Sequence, residues 1–171
     1  GPDGKLSTPL AREDLAAIDG IVMLAAGTSH YAAMVARYWI ESLARVPVSC
    51  EIASEYRYRK PVTGAFSCAV AISQSGESLD TLMAMRHAGE AGLRTIGLVN
   101  VPGSTVAREA DMVMPTRAGP EIGVASTKAF TAQLTALISF AVALAEANGQ
   151  ISIERRDEIH AGIQGLPSMV G

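Results

Sequence analysis

The sequence predicts an α/β protein: a three-layer αβα sandwich on a five-stranded parallel sheet, with a flavodoxin-like strand arrangement. Three observations predict it. Short apolar runs rich in Val and Ile alternate with stretches of helical spacing. The runs are apolar throughout, the mark of strands covered on both faces. Small, hydroxyl-rich turns join strand to helix, as at Gly27-Thr28-Ser29 and Ser73 to Ser78.

Taken in order, residues 21–25 read as the first strand, ending in Gly27-Thr28-Ser29. Apolar residues at Ala32, Val35, Ala36, Trp39, Ile40 and Leu43 then keep helical i, i+3, i+4 spacing until Val46-Pro47 breaks it. Residues 48–52 read as the second strand, and 54–60 as a polar, aromatic connector. The third strand covers 66–72 and runs into Ser73-Gln74-Ser75-Gly76-Glu77-Ser78. A helix follows over 79–91, with Gly92 as its stop. Residues 95–99 and 112–114 are strands four and five, separated by a short helix after Pro102-Gly103-Ser104. A loop over 116–126 leads to a long helix from Thr127 to about Asn148, and 153–163 looks helical. This divides the chain into a linker at 1–18, a domain at 19–150 and a helical tail at 151–171.

Composition narrows the function. The chain has 171 residues, 49% hydrophobic and 18% charged, with a net charge of -3. That suits one domain with a sizeable core. No basic stripe exists to neutralise nucleic-acid phosphates or to hold an anionic membrane surface. The polar start lacks the apolar core of a signal peptide, and the first residue is Gly, not Met, which allows a fragment of a longer chain. The stretch 129–147 is long and apolar, but Thr131, Gln133, Thr135 and Ser139 favour a core or interface helix over a membrane span. Cys50 and Cys68 lie in strand-like runs and read as reduced thiols of a cytoplasmic protein; no Cys/His spacing suggests a metal, and no cofactor is called for.

The candidate site follows from placement. In open α/β sheets ligands bind at the carboxyl ends of the strands. A helix N-terminus there offers unpaired N–H groups and partial positive charge, so it holds an anion without Lys or Arg. Ser73, Ser75, Ser78 and Gln74 can donate to phosphate oxygens, and Gly76 lets the backbone bend close. One serine would be read as a helix cap. Three serines and a glutamine in six residues exceed what a cap requires. There is no GK[ST], no GxGxxG, and Ser73 stands where a nucleophile elbow needs Gly. Glu121 to Lys128 forms a third loop at the same edge, in which Ser126 reads equally as a cap or a sugar contact, and Glu121 equally as a ligand contact or a plain loop carboxylate.

Ala26-Gly27-Thr28-Ser29, the run from Glu51 to Arg59, the run from Ser73 to Ser78 and the run from Glu121 to Thr131 together resemble the first sugar-isomerase (SIS) domain of the glucosamine-6-phosphate synthase family, the glutamine–fructose-6-phosphate aminotransferases. The resemblance covers residues 20–148 and implies a SIS fold. It implies that Ser29, Ser73, Gln74, Ser75 and Ser78 hold the phosphate of fructose 6-phosphate or its product. It further implies that Thr28 contacts sugar or phosphate, and that Val124, through its backbone, and Ser126 contact sugar hydroxyls. Ala26, His30 and Ser78 depart from the family's usual Cys, Tyr and Thr. The family keeps its acid/base Glu, Schiff-base Lys and ring-opening His in a second SIS domain and tail. The resemblance therefore assigns no catalytic residue to this chain, and the tail would lead toward that second domain. Glu77 reads as support for a helix N-terminus, and Glu55 as an ion-pair partner among Arg57 and Arg59. The implied partners are a hexose 6-phosphate and either a second copy or a second SIS domain, docked on the apolar helix 127–147. Two other readings remain: a non-catalytic sugar-phosphate sensor, and a single-domain ketose/aldose phosphate isomerase.

Overall fold

The computed structural model describes residues 8–120 and 127–170. Its strands are β1 (Ile21–Ala25), β2 (Val48–Ile52), β3 (Cys68–Ser73), β4 (Arg94–Val99) and β5 (Met112–Pro115). They pair in parallel in the order β2-β1-β3-β4-β5, the flavodoxin-like order. The helices are α1 (Arg12–Ala16), α2 (Gly27–Leu43), α3 (Ala53–Tyr56), α4 (Leu79–Glu90), α5 (Thr105–Glu109), α6 (Lys128–Ala147) and α7 (Ile153–Val170).

The period of two along each strand sorts the helices into layers. Ile21, Met23, Cys68, Val70 and Ile72 point into one core with Leu15 of α1, Ala36 and Ile40 of α2, and Leu137 and Phe140 of α6. Val22, Leu24 and Ala69 point the other way, against α3 and α4, while Ala71 and Val99 meet α4 and α5. Every residue of β1 and β3 is buried, which is why their sequences carry no polar alternation. The result is the three-layer sandwich expected.

Several boundaries differ from those read in the sequence. Gly27, Thr28 and Ser29 form the first turn of α2 rather than a loop before it. Gly27 has φ +56°, so the chain turns from β1 into the helix without an intervening segment. The connector after β2 contains α3, β3 begins at Cys68 after a turn closed by the Phe66 N–H on the Thr63 carbonyl, and α7 continues to Val170. Within the first eighteen residues α1 packs on α6, with Leu15 and Ile18 buried.

The apolar residues of α6 serve the core on one face, as a core or interface helix would. By length and mean hydropathy (1.5) α6 is the one helix among the described residues that could cross a membrane. Its Leu137, Phe140, Ala141 and Leu144 are instead fully buried between α2 and the sheet. The exposed apolar stripe lies on α2, where Tyr31 (63% exposed), Met34, Val35 and Tyr38 (73%) recur at helical spacing.

Candidate functional site

At the carboxyl edge, β1 runs into α2 and β3 runs through Ser73 to Ser78 into α4. β1 and β3 are neighbours, with Ala25 opposite Ile72. The chain leaves β1 toward β2 on one side and leaves β3 toward β4 on the other. The two loops thus flank the point where strand order reverses, the place an open sheet offers for a ligand. Two long helices, of 17 and 12 residues, start there. Neither has a side-chain cap: the N-cap of α2 is Ala26, and the Ser78 side chain makes no cap bond on α4. The plain capping reading of Ser78 is therefore not what the geometry shows.

The serines share one hydrogen-bonding state. Ser73 Oγ accepts from the Gly76 N–H at 3.0 Å, and Ser75 Oγ from the Glu77 N–H at 3.2 Å. Ser78 Oγ accepts from the Thr81 hydroxyl at 3.2 Å, and Ser29 Oγ from Gln133 Nε2–H at 2.9 Å. A hydroxyl whose oxygen is engaged as acceptor keeps its proton for another partner. All four are thereby set as donors at two helix N-termini, with no Lys or Arg in the Ser73 to Ser78 loop. Ser29 and Ser73 are buried; Gln74 and Ser78 are half-buried; Thr28 and Ser75 are exposed. Val124, Ser126 and Glu121 lie outside the described residues.

The loop is braced by β4 and α5. The Gln74 carbonyl accepts from the Asn100 N–H at 3.0 Å, and the Gly76 carbonyl from the Val106 N–H at 3.0 Å. Gly76 has φ +66°, and a Cβ there would lie 2.0 Å from Ser104 Oγ, so both conformation and space demand glycine. The Asn100 side chain also ties the chain after β5, donating to the Gly119 carbonyl and accepting from Thr116 and the Ala118 N–H. Glu77 supports a helix N-terminus, though that of α5 rather than α4. Its two carboxylate oxygens accept from the Thr105 N–H and hydroxyl, each at 2.8 Å. Those bonds lower its pKa, so it is held ionised and is no proton donor in reserve. Among the described residues Glu55 makes no ion pair with the neighbouring arginines: Arg59 pairs with Glu51 at 2.5 Å, and Arg57 lies 4.0 Å from Asp80.

Gln133, Asn100 and Thr105 were not legible as site residues. The one signal for Gln133 was a polar residue within an apolar helical run.

A parallel αβα sandwich with a serine-rich strand-to-helix turn at its switch point defines a class of domain that can take an anion at its carboxyl edge. The sequence pattern of the SIS domain family matches residues 14–143, and the chain belongs to that family. Among its relatives, the glutamine–fructose-6-phosphate aminotransferase (isomerizing) of Zymomonas mobilis is 52% identical over 97% of this chain and 27% of its own length. That of Bordetella parapertussis is 50% identical over 90% of this chain and 25% of its own. The chain spans about a quarter of the length of the curated relatives it matches. Among solved structures, the C-terminal domain of glucosamine-fructose-6-phosphate aminotransferase from Francisella tularensis superposes with a TM-score of 0.92. It is 41% identical and covers 98% of this chain and 48% of that one.

Proposed function

We propose that this chain is the sugar-phosphate-binding SIS domain of a glutamine–fructose-6-phosphate aminotransferase. The whole enzyme would convert fructose 6-phosphate and glutamine to glucosamine 6-phosphate and glutamate. This chain would hold the phosphate of substrate or product on Ser29, Ser73, Gln74, Ser75 and Ser78, with Thr28 beside them and Val124 and Ser126 on the sugar hydroxyls. The observation that carries the reading is the donor state of the four serines at two uncapped helix N-termini. A phosphate dianion accepts many bonds and donates none at neutral pH, so it matches a cradle of neutral donors. The likeness to the aminotransferases supports the same ligand.

The residues that would move protons between the sugar's reacting carbons are not assigned to this chain, so binding without turnover is expected. Domain boundaries at 19–150, with the 151–171 tail leading to a second SIS domain, belong to the same reading. So does a second copy of this chain as partner, meeting the uncharged α2 stripe of Tyr31, Met34, Val35 and Tyr38. A two-fold interface needs a self-complementary patch, which an apolar stripe provides. A cytoplasmic location accords with the free thiols Cys50 and Cys68, whose pKa values burial pushes up to about 11 and about 12.

Calorimetric titration with glucosamine 6-phosphate tests the pocket. Ser75→Ala removes one donor to a charged group and should weaken binding roughly tenfold. Equal affinity in the two proteins contradicts the assignment. In the same preparation, fructose 6-phosphate and ammonia should yield no glucosamine 6-phosphate; its formation would place the chemistry inside this chain.

A further inference from the structure

Gln133 sits on the face of α6 turned to α2, among Ala129, Leu137 and Phe140, and is 2% exposed. Its Nε2–H donates to Ser29 Oγ at 2.9 Å, while its Oε1 is buried with no hydrogen-bond partner among the described residues. A buried amide with one unpaired end carries a desolvation penalty that an aliphatic side chain of the same length would avoid. The bond to Ser29 is the feature that an aliphatic residue could not supply.

Ser29 lies in the first turn of α2. A hydroxyl left free to rotate can turn its proton to whatever acceptor is near, where it is lost to a ligand. A donor held rigidly against Oγ changes this. It occupies one lone pair and leaves the proton to point away from the donor. We infer that Gln133 is a positioning residue for the phosphate: by donating to Ser29 Oγ from the buried α2–α6 contact, it commits the Ser29 proton to the anion at the switch point. The inference rests on the sugar-phosphate reading. It adds that the long helix α6, which contributes no loop residue from this position, sets the polarity of one phosphate contact. Its effect falls on the phosphate end of the ligand, so inorganic phosphate should report it as the sugar phosphate does.

A double-mutant cycle tests this, with the chain titrated calorimetrically with glucosamine 6-phosphate and with inorganic phosphate. Gln133→Met keeps the volume and removes the donor. It should weaken binding about fivefold to tenfold, and Ser29→Ala should do the same. The double variant should bind no more weakly than Ser29→Ala alone, because Gln133 acts only through Ser29. A purely structural tie between α2 and α6 predicts instead that Gln133→Met loses the same factor whether or not Ser29 is present; that result, or unchanged affinity in Gln133→Met, overturns the inference. Should Gln133→Met fail to melt cooperatively, Gln133→Glu takes its place. That isosteric carboxylate cannot donate to Ser29 Oγ and takes up the Ser29 proton instead; its charge also repels the phosphate directly, so affinity falls in both backgrounds and the inference requires a larger loss with Ser29 present than in Ser29→Ala. An equal loss in the two backgrounds, or none, overturns the inference equally. If the unmodified chain binds neither probe, the function reading and this inference fall together. If it binds and the cycle is additive, only this inference falls.

Discussion

Glu77 lies inside the serine loop but directs its carboxylate to another helix. It takes the place of a side-chain cap on α5, where Ser104 is the N-cap residue and its own hydroxyl is buried without a partner among the described residues. Both bonds go to the ionised form, so the folded-state pKa lies below the ordinary 4.5. The sign follows. The contribution is complete above the unfolded value and is lost as pH falls below it toward the folded value. The melting temperature of Glu77→Gln should therefore trail that of the unmodified protein at pH 7, with the gap narrowing as pH falls below the ordinary carboxylate value. A gap independent of pH would mean that the carboxylate charge plays no part. At this scale the chemistry of Ser73 to Ser78 was legible because six consecutive residues carried it. Its supports were not. Asn100, Thr105 and Gln133 come from other elements, and nothing in their local sequence links them to the loop.

Helix α6 divides its apolarity between core and surface. α2 and the sheet cover its Leu137, Phe140 and Leu144 completely, whereas Phe130, Leu134 and Ile138 stay half-buried. The small residues Ala32, Ala33 and Ala36 on α2, all buried, allow that close approach. Phe140→Ala should destabilise the fold by about 3–5 kcal/mol in urea unfolding, as expected for an aromatic ring removed from a packed core. A loss under 1 kcal/mol would show that the α2–α6 contact is looser than described. Strands and long helices were legible from periodicity, since burial on two faces forces uniform apolarity and burial on one forces helical spacing. Short elements such as α1 and α3 were not, because four or five residues hold too little of a period.

For the whole molecule, the exposed α2 stripe remains once α6 is accounted for. In light scattering at high concentration the chain should behave as a dimer, and Tyr38→Ser should shift it toward monomer because Tyr38 is the most exposed member of the stripe. A monomer at all concentrations would rule out the second copy as partner and leave a second SIS domain for that face.

The sequence alone carried the layers, the number of strands and the serine-rich turn, because each is written in adjacent residues or in a short repeat. It also carried the resemblance that the family match bears out. Three things came only with packing: that the turns after β1 and β3 flank the switch point, that Glu77 caps α5, and that Gln133 reaches Ser29 across 104 residues of chain. Each depends on two distant segments packing to within hydrogen-bond distance. Local pattern holds no record of that, since the same side chains would read alike facing water.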